Sequence, residues 1–154
     1  MISGVGEIIR AKEFLTKAKA ELQDRGIDFD QNIKVGCMIE TPSAVTISDM
    51  LADEVDFFSV GTNDLVQYLL AVDRINNEIS YLYEPHHPAV IRAIEQIARV
   101  SKEKNIEVTL CGEIAGDPHF LPLLIGLGVD ALSATSTMLP ELKFFGRRFT
   151  MAEV

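Results

Sequence analysis

The sequence predicts a parallel α/β fold, and two observations carry that expectation. Short apolar runs alternate with stretches of helical periodicity, and the main runs stop at a reactive side chain followed by helix-starting residues. Ile33-Lys34-Val35-Gly36-Cys37-Met38-Ile39 stops at Glu40-Thr41-Pro42. Val55-Asp56-Phe57-Phe58-Ser59-Val60 stops at Gly61-Thr62-Asn63-Asp64, and Val108-Thr109-Leu110 stops at Cys111-Gly112-Glu113. Strand–helix alternation of this kind builds a parallel sheet with right-handed crossovers. Such sheets collect their chemistry at the carboxyl ends of the strands, where successive loops meet one ligand. Two carboxylates, an amide and a thiol at these ends read as one composite site.

The elements follow in order. Ile8, Phe14, Leu15, Ala18 and Leu22 recur at helical spacing and predict a helix from Val5 to Arg25, stopped by Gly26. The strand from Ile33 comes next. Thr41-Pro42 then opens a second helix, because proline at the first helical position loses no needed N–H, and Ala44, Val45, Met50 and Leu51 form its expected buried face. After the strand from Val55, Asp64 to Leu70 reads as a short helix, and Asn76 to Pro85 is rich in turn residues. Pro88 to Lys104 is the clearest helix, with Val90, Ile94, Ile97 and Ala98 apolar and Asn105 at its end. Asp117-Pro118 follows the third strand as an expected N-cap and first-position proline. That helix is expected to stop at Gly126 or Gly128, before a last strand, Ala131 to Ala134, and a closing helix, Pro140 to Phe149.

At 154 residues the chain has the length of one domain, 1–154, and 47% apolar with 24% charged residues is a globular composition. A complete eight-fold barrel needs about 250 residues. The chain is therefore expected to be either a compact doubly wound domain or part of a barrel. A formal charge of −9 leaves no broad basic field for nucleic acid or an anionic membrane. No apolar stretch approaches the roughly 18 residues of a membrane span, and no signal-peptide pattern opens the chain. A cytoplasmic protein without membrane insertion is expected. Two cysteines, Cys37 and Cys111, argue for thiols and against a disulfide framework.

At the strand ends the wording becomes specific. Gly36-Cys37-Met38-Ile39-Glu40-Thr41-Pro42, Asp56 to Leu65, and Leu110-Cys111-Gly112-Glu113-Ile114-Ala115-Gly116-Asp117 resemble the phosphoenolpyruvate-utilising enzymes. Gln67-Tyr68-Leu69-Leu70-Ala71-Val72-Asp73-Arg74 most resembles the enzyme I type, the phosphoenolpyruvate–protein phosphotransferases of bacterial sugar uptake. The resemblance spans nearly the whole chain. It implies the C-terminal half of a (β/α)8 TIM barrel, beginning at the end of its fourth strand. The earlier strands, further substrate-binding arginines and a domain bearing the phosphorylated histidine are expected to lie elsewhere.

The resemblance also implies roles for particular residues. Glu40 and Asp64 are assigned to Mg²⁺, which takes one or two protein carboxylates and completes its shell with substrate oxygens and water. Spacing alone slightly favours both as helix-start carboxylates; the motifs turn the reading to metal. Asn63 is assigned to the substrate phosphate, beside helix-start N–H groups, and Arg74 to the same phosphate through its guanidinium fork. A straight helix from Asp64 would carry Arg74 roughly 15 Å away, so the helix must break early or lie across the barrel mouth. Cys111 resembles the family's general acid, which protonates the methylene carbon of enolpyruvate. If Glu40 faces the barrel, alternation turns Cys37 outward into packing.

Glu113 is expected to orient the thiol or to cap a helix, and Asp117 is mostly an N-cap. His86, His87 and His119 are expected to be structural or exposed, because the family's phosphate acceptor lies in the other domain. The implied reaction moves the phosphoryl group of phosphoenolpyruvate to a histidine of the same enzyme and releases pyruvate. A small phosphocarrier protein then receives it, and the enzyme is expected to be a homodimer. A phosphoenolpyruvate synthase or dikinase barrel, a nitrogen-regulation relative and a non-catalytic dimerisation fragment are the alternatives. The fragment by itself is expected to be inactive.

Overall fold

The computed structural model describes residues 1–150, so the last four residues of the expected 1–154 unit lie outside the described residues. Helix α1, Val5–Asp24, is followed by β1 (Gly36–Ile39), α2 (Pro42–Thr46), α3 (Ser48–Ala52) and β2 (Phe57–Gly61). Then come α4 (Thr62–Leu70), α5 (Pro88–Lys104), β3 (Glu107–Cys111), α6 (Glu113–Gly116) and α7 (Leu121–Leu127). Strand β4 (Ala131–Ser133) and α8 (Leu139–Gly146) close the chain, and a single 3₁₀ turn at Ser80–Leu82 interrupts the long connection before α5.

All neighbouring strands pair in parallel, in the order β1-β2-β3-β4. The register aligns Cys37, Phe58 and Val108 in one row and Ile39, Val60 and Leu110 in the next. These side chains are buried and form the core with Leu51, Val90, Ile94, Ile97 and Leu124 from the helices. The opposite face carries Met38, Ser59, Thr109 and Ala131, then Gly61, Cys111 and Ser133, and it is only half covered. One lined face and strands in unbroken sequence order match the wall of a barrel. A doubly wound sheet would carry helices on both faces and reverse its strand order. The barrel alternative is the one realised.

Strand starts are set by a repeated device. The Asp56 carboxylate accepts from the Val35 N–H at 2.7 Å while the Asp56 N–H donates to the Val35 carbonyl at 2.8 Å. Asp130 makes the same exchange with Val108, at 2.8 and 3.0 Å. Strand β1 consequently begins at Gly36, and Ile33, expected as its first residue, is 52% exposed.

Helix α5 has the expected bounds. The His87 imidazole caps it by accepting from the Ala89 N–H at 3.1 Å, and Asn105 closes it at φ 55°. Thr41 caps α2 through Ala44 N–H at 3.2 Å. The single helix expected after Thr41 is split at Ile47, whose φ of −108° is not helical. The β-branched run Val45-Thr46-Ile47 disfavours continuation, and Met50, expected to be buried, is 55% exposed.

Three further expectations are corrected. Helix α1 has the expected length, but only Ile8 of its apolar stripe is buried and Phe14 is 59% exposed. A helix of this length extends about 30 Å, further than the short α3 it packs against can cover. Asp117 does not cap the following helix: it ends α6 and accepts from the His119 N–H at 2.9 Å, so α7 begins at Leu121. The closing helix starts at Leu139 and stops at Gly146, three residues short of Phe149.

Phe58 is fully buried at the centre of the helix-facing row. Phe58→Ala is expected to cost about 3–5 kcal/mol, a large share of the roughly 5–15 kcal/mol that holds a domain together. Urea unfolding followed by circular dichroism measures it.

Candidate functional site

Glu40 leaves β1 next to the turn that ends β2. Its side chain is nearly buried because Gly61, across the ladder, has no Cβ. A methyl group at Gly61 would stand 2.8 Å from Glu40 Oε2 and 3.0 Å from Met38 Sδ. Asp64 enters from the first turn of α4. Burial pushes the Glu40 carboxyl above its ordinary range, and the Asp64 carboxylate pushes it the same way.

Strands β2 and β3 are clasped together at their ends. Gly61 pairs with Cys111 in the ladder, and Thr62 Oγ1 donates to the Cys111 carbonyl at 2.7 Å. The Asn63 side-chain oxygen accepts from the Glu113 N–H at 3.0 Å. This bond fixes the amide so that its NH₂ is left to donate elsewhere. Gly112 makes the close approach possible at φ +93°, with its absent Cβ position 2.8 Å from Asn63 Oδ1. Only glycine adopts that backbone readily.

Cys111 ends β3, half-buried on the open face of the sheet. Its Sγ–H donates to the Val60 carbonyl at 3.4 Å, and the Ser59 hydroxyl approaches the sulfur at 3.9 Å. Cys37 occupies the opposite face, buried, with its thiol pushed up to about 11 mainly by that burial. Alternation placed it there as expected.

Arg74 returns to the site because α4 ends at Ala71, held at φ 53°. The Val72 N–H donates to the Gln67 carbonyl at 2.9 Å and the Arg74 N–H to Gln67 Oε1 at 3.3 Å. The chain doubles back within three residues of the helix end, which removes the distance problem of a straight helix. Glu40, Asn63, Asp64, Arg74 and Cys111 line one cleft of about 190 Å³. A larger chamber of about 690 Å³ adjoins it on the β4 side and shares Asn63, Cys111 and Gly112.

Glu113 meets Asn63 through its backbone, while its side chain lies toward Tyr83 and Arg74. His86 stacks on Phe120 with centroids 4.2 Å apart, His87 caps α5, and His119 sits 6.5 Å from Phe145; none lines the cleft. Sequence reasoning did not single out Tyr83, whose hydroxyl donates to the Asn63 carbonyl at 3.3 Å, nor Ser59, Gly61 and Gly112 as individual contributors. The glycines were visible as the residues that follow strand ends. Tyr83 had no such signal.

Among the described residues no group of three or more His, Cys, Asp or Glu side chains converges as a metal cage. A pair of like carboxylates, one nearly buried, suits Mg²⁺ better than a cation needing a full protein shell.

Residues 1–150 match the family described as PEP-utilising enzyme, PEP-binding domain, and the chain belongs to that family. It is 42% identical over all of its length to a phosphoenolpyruvate-protein phosphotransferase of Priestia megaterium, of which it covers 27%. It is 43% identical over all of its length to one of Borreliella burgdorferi, again covering 27%. Identity reaches 47% over 93% of the chain with one of Buchnera aphidicola, of which it covers 25%. The chain thus spans about a quarter of the curated relatives it matches. Among solved structures it resembles an HpcH/HpaI aldolase from Desulfitobacterium hafniense, a TIM-barrel protein, at TM-score 0.52 and 19% identity. The likeness covers 75% of this chain and 42% of that one. This shows a shared fold.

The raised Glu40 carboxyl means that the folded chain holds this proton more tightly than the unfolded chain. Stability is therefore gained as pH falls through the folded pKa and is lost above it. Above that pKa the ionised Glu40 weighs against folding, a cost partly offset by the Met1 ammonium 3.9 Å from Oε1. Glu40→Gln is expected to raise stability there by about 0.5–2 kcal/mol, with the advantage fading toward acid. Thermal unfolding in a chelator across pH checks both parts.

Proposed function

We propose that this chain is the phosphoenolpyruvate-binding part of a phosphoenolpyruvate–protein phosphotransferase. The enzyme moves the phosphoryl group of phosphoenolpyruvate to a histidine on another of its domains and releases pyruvate. A small phosphocarrier protein then takes the group onward for sugar uptake. The observation that carries the reading is the cleft in which Glu40, Asn63, Asp64, Arg74 and Cys111 converge from separate strand ends. A cytoplasmic homodimer belongs to the same proposal.

In this mechanism Arg74 binds phosphate oxygens through its planar fork, and the Asn63 NH₂ donates to the same group. Glu40 and Asp64 would hold Mg²⁺, which when bound offsets phosphate charge. The scissile P–O bond breaks as the histidine nitrogen bonds to phosphorus, and the enolate of pyruvate remains. Cys111 delivers its proton to the enolate methylene carbon, whose C=C electron pair forms the new C–H bond while the enolate oxygen becomes a carbonyl. The thiolate left behind has the Ser59 hydroxyl at 3.9 Å as a neighbouring donor. Asn63 and Arg74 hold the substrate so that this carbon and Sγ stay aligned.

Two measurements test the reading. Calorimetry should give heat for phosphoenolpyruvate in the presence of Mg²⁺, and Asp64→Ala should abolish it. In the full-length enzyme with Mg²⁺ present, exchange of pyruvate methyl protons in deuterated buffer should fall about 100-fold or more on Cys111→Ser, with ligand heats retained. Exchange equal to that of the unsubstituted full-length enzyme would reject Cys111 as the acid.

A further inference from the structure

The segment from Ala71 to Tyr83 leaves helix α4, passes beside the cleft and returns to the same helix. Its two ends are pinned to residues one helical turn apart. On the way out, the Arg74 N–H donates to Gln67 Oε1 at 3.3 Å; on the way back, the Tyr83 O–H donates to the Asn63 carbonyl at 3.3 Å. Asn63 and Gln67 stand at i and i+4, on one face of the helix. Between the pins the segment is held mostly by its own turns. Asp73 Oδ1 accepts from the Ile75 N–H at 3.0 Å, and the Asn76 carbonyl accepts from the Ser80 N–H at 2.8 Å. Ile75 and Tyr81 are 81% and 79% exposed, so little packing anchors its outer part.

Tyr83 is half-buried and lines a recess of about 490 Å³ with Arg74, Ser80 and Glu113. Burial, above all, pushes its hydroxyl up, and the nearby Glu113 carboxylate adds to the rise while Arg74 opposes it. The hydroxyl therefore remains a proton donor. Its partner is the backbone of Asn63, the residue whose side chain is tied to Glu113 across the β2–β3 clasp. One phenol thus links the segment carrying the phosphate cation to the turn carrying the phosphate amide.

We propose that Tyr83 is a positioning residue that latches the Ala71–Tyr83 segment onto α4 and so holds Arg74 over the phosphate position fixed by Asn63. The ligand part of this inference rests on the functional reading above. Tyr83→Phe removes the hydroxyl alone. It is expected to weaken phosphoenolpyruvate binding in the presence of Mg²⁺ by about three- to tenfold, the effect of one lost hydrogen bond. Binding of Mg²⁺ alone, which involves neither pin, should not change. In an Arg74→Gln background the same substitution should have no further effect on affinity, because the two act through one path. Amide hydrogen exchange of residues 72–82 should quicken in Tyr83→Phe while the strands keep their protection.

Unchanged exchange in residues 72–82 would overturn the latch. So would additive losses in the double variant, or equal losses of Mg²⁺ and phosphoenolpyruvate binding, since these would mark a general structural role. If the unsubstituted chain binds no phosphoenolpyruvate, the functional reading fails, and the amide exchange alone decides for or against the latch.

Discussion

The site depends on the clasp between the ends of β2 and β3. The ladder pairs Gly61 with Cys111, the Thr62 hydroxyl closes on the Cys111 carbonyl, and Asn63 binds the amide that follows Gly112. These contacts are short and directional, and they join two turns about fifty residues apart in sequence. A single cross-strand register therefore sets the distance between thiol and amide. The left-handed Gly112 backbone is what allows the turns to come so close. A side chain there would push Asn63 away and open the cleft from the middle.

Around that clasp Glu40 is placed against its own stability. Glu40 is nearly buried beside a like charge, where its ionised form lacks the solvation it would have in water. The Met1 ammonium, 3.9 Å from Glu40 Oε1, offsets part of that cost. Concentrated negative charge of this kind is the environment a divalent cation relieves. The same cleft has Arg74 on its rim, so an anion and a cation could enter together with opposite charges facing one another.

Much of this was legible in the sequence, for physical reasons that differ from residue to residue. Glu40, Asn63, Asp64 and Cys111 sit where an apolar run gives way to helix-start chemistry, and strand ends in parallel folds converge by geometry. The return of Arg74 was legible as a requirement, since a straight helix could not deliver it; the left-handed Ala71 that fulfils it was not. Helix α1 was placed correctly from its periodicity, yet periodicity reports which residues share a face and not whether anything covers that face. Asp117 and Pro118 matched a helix start in composition, but the short α6 took up Asp117 first. Tyr83 stayed hidden because its contact depends on the path of a long turn-rich connection, which no local pattern encodes.

The two thiols project from opposite faces of one sheet, on strands that flank β2. Two interstrand spacings separate those strands by about 9.5 Å, beyond the roughly 7 Å across which a disulfide can form. Within these 154 residues, therefore, Cys111 has no thiol in reach. Oxidation at the cleft calls for a sulfur or oxygen donor from outside this segment, while Cys37, packed under the helices, is shielded from the same oxidant.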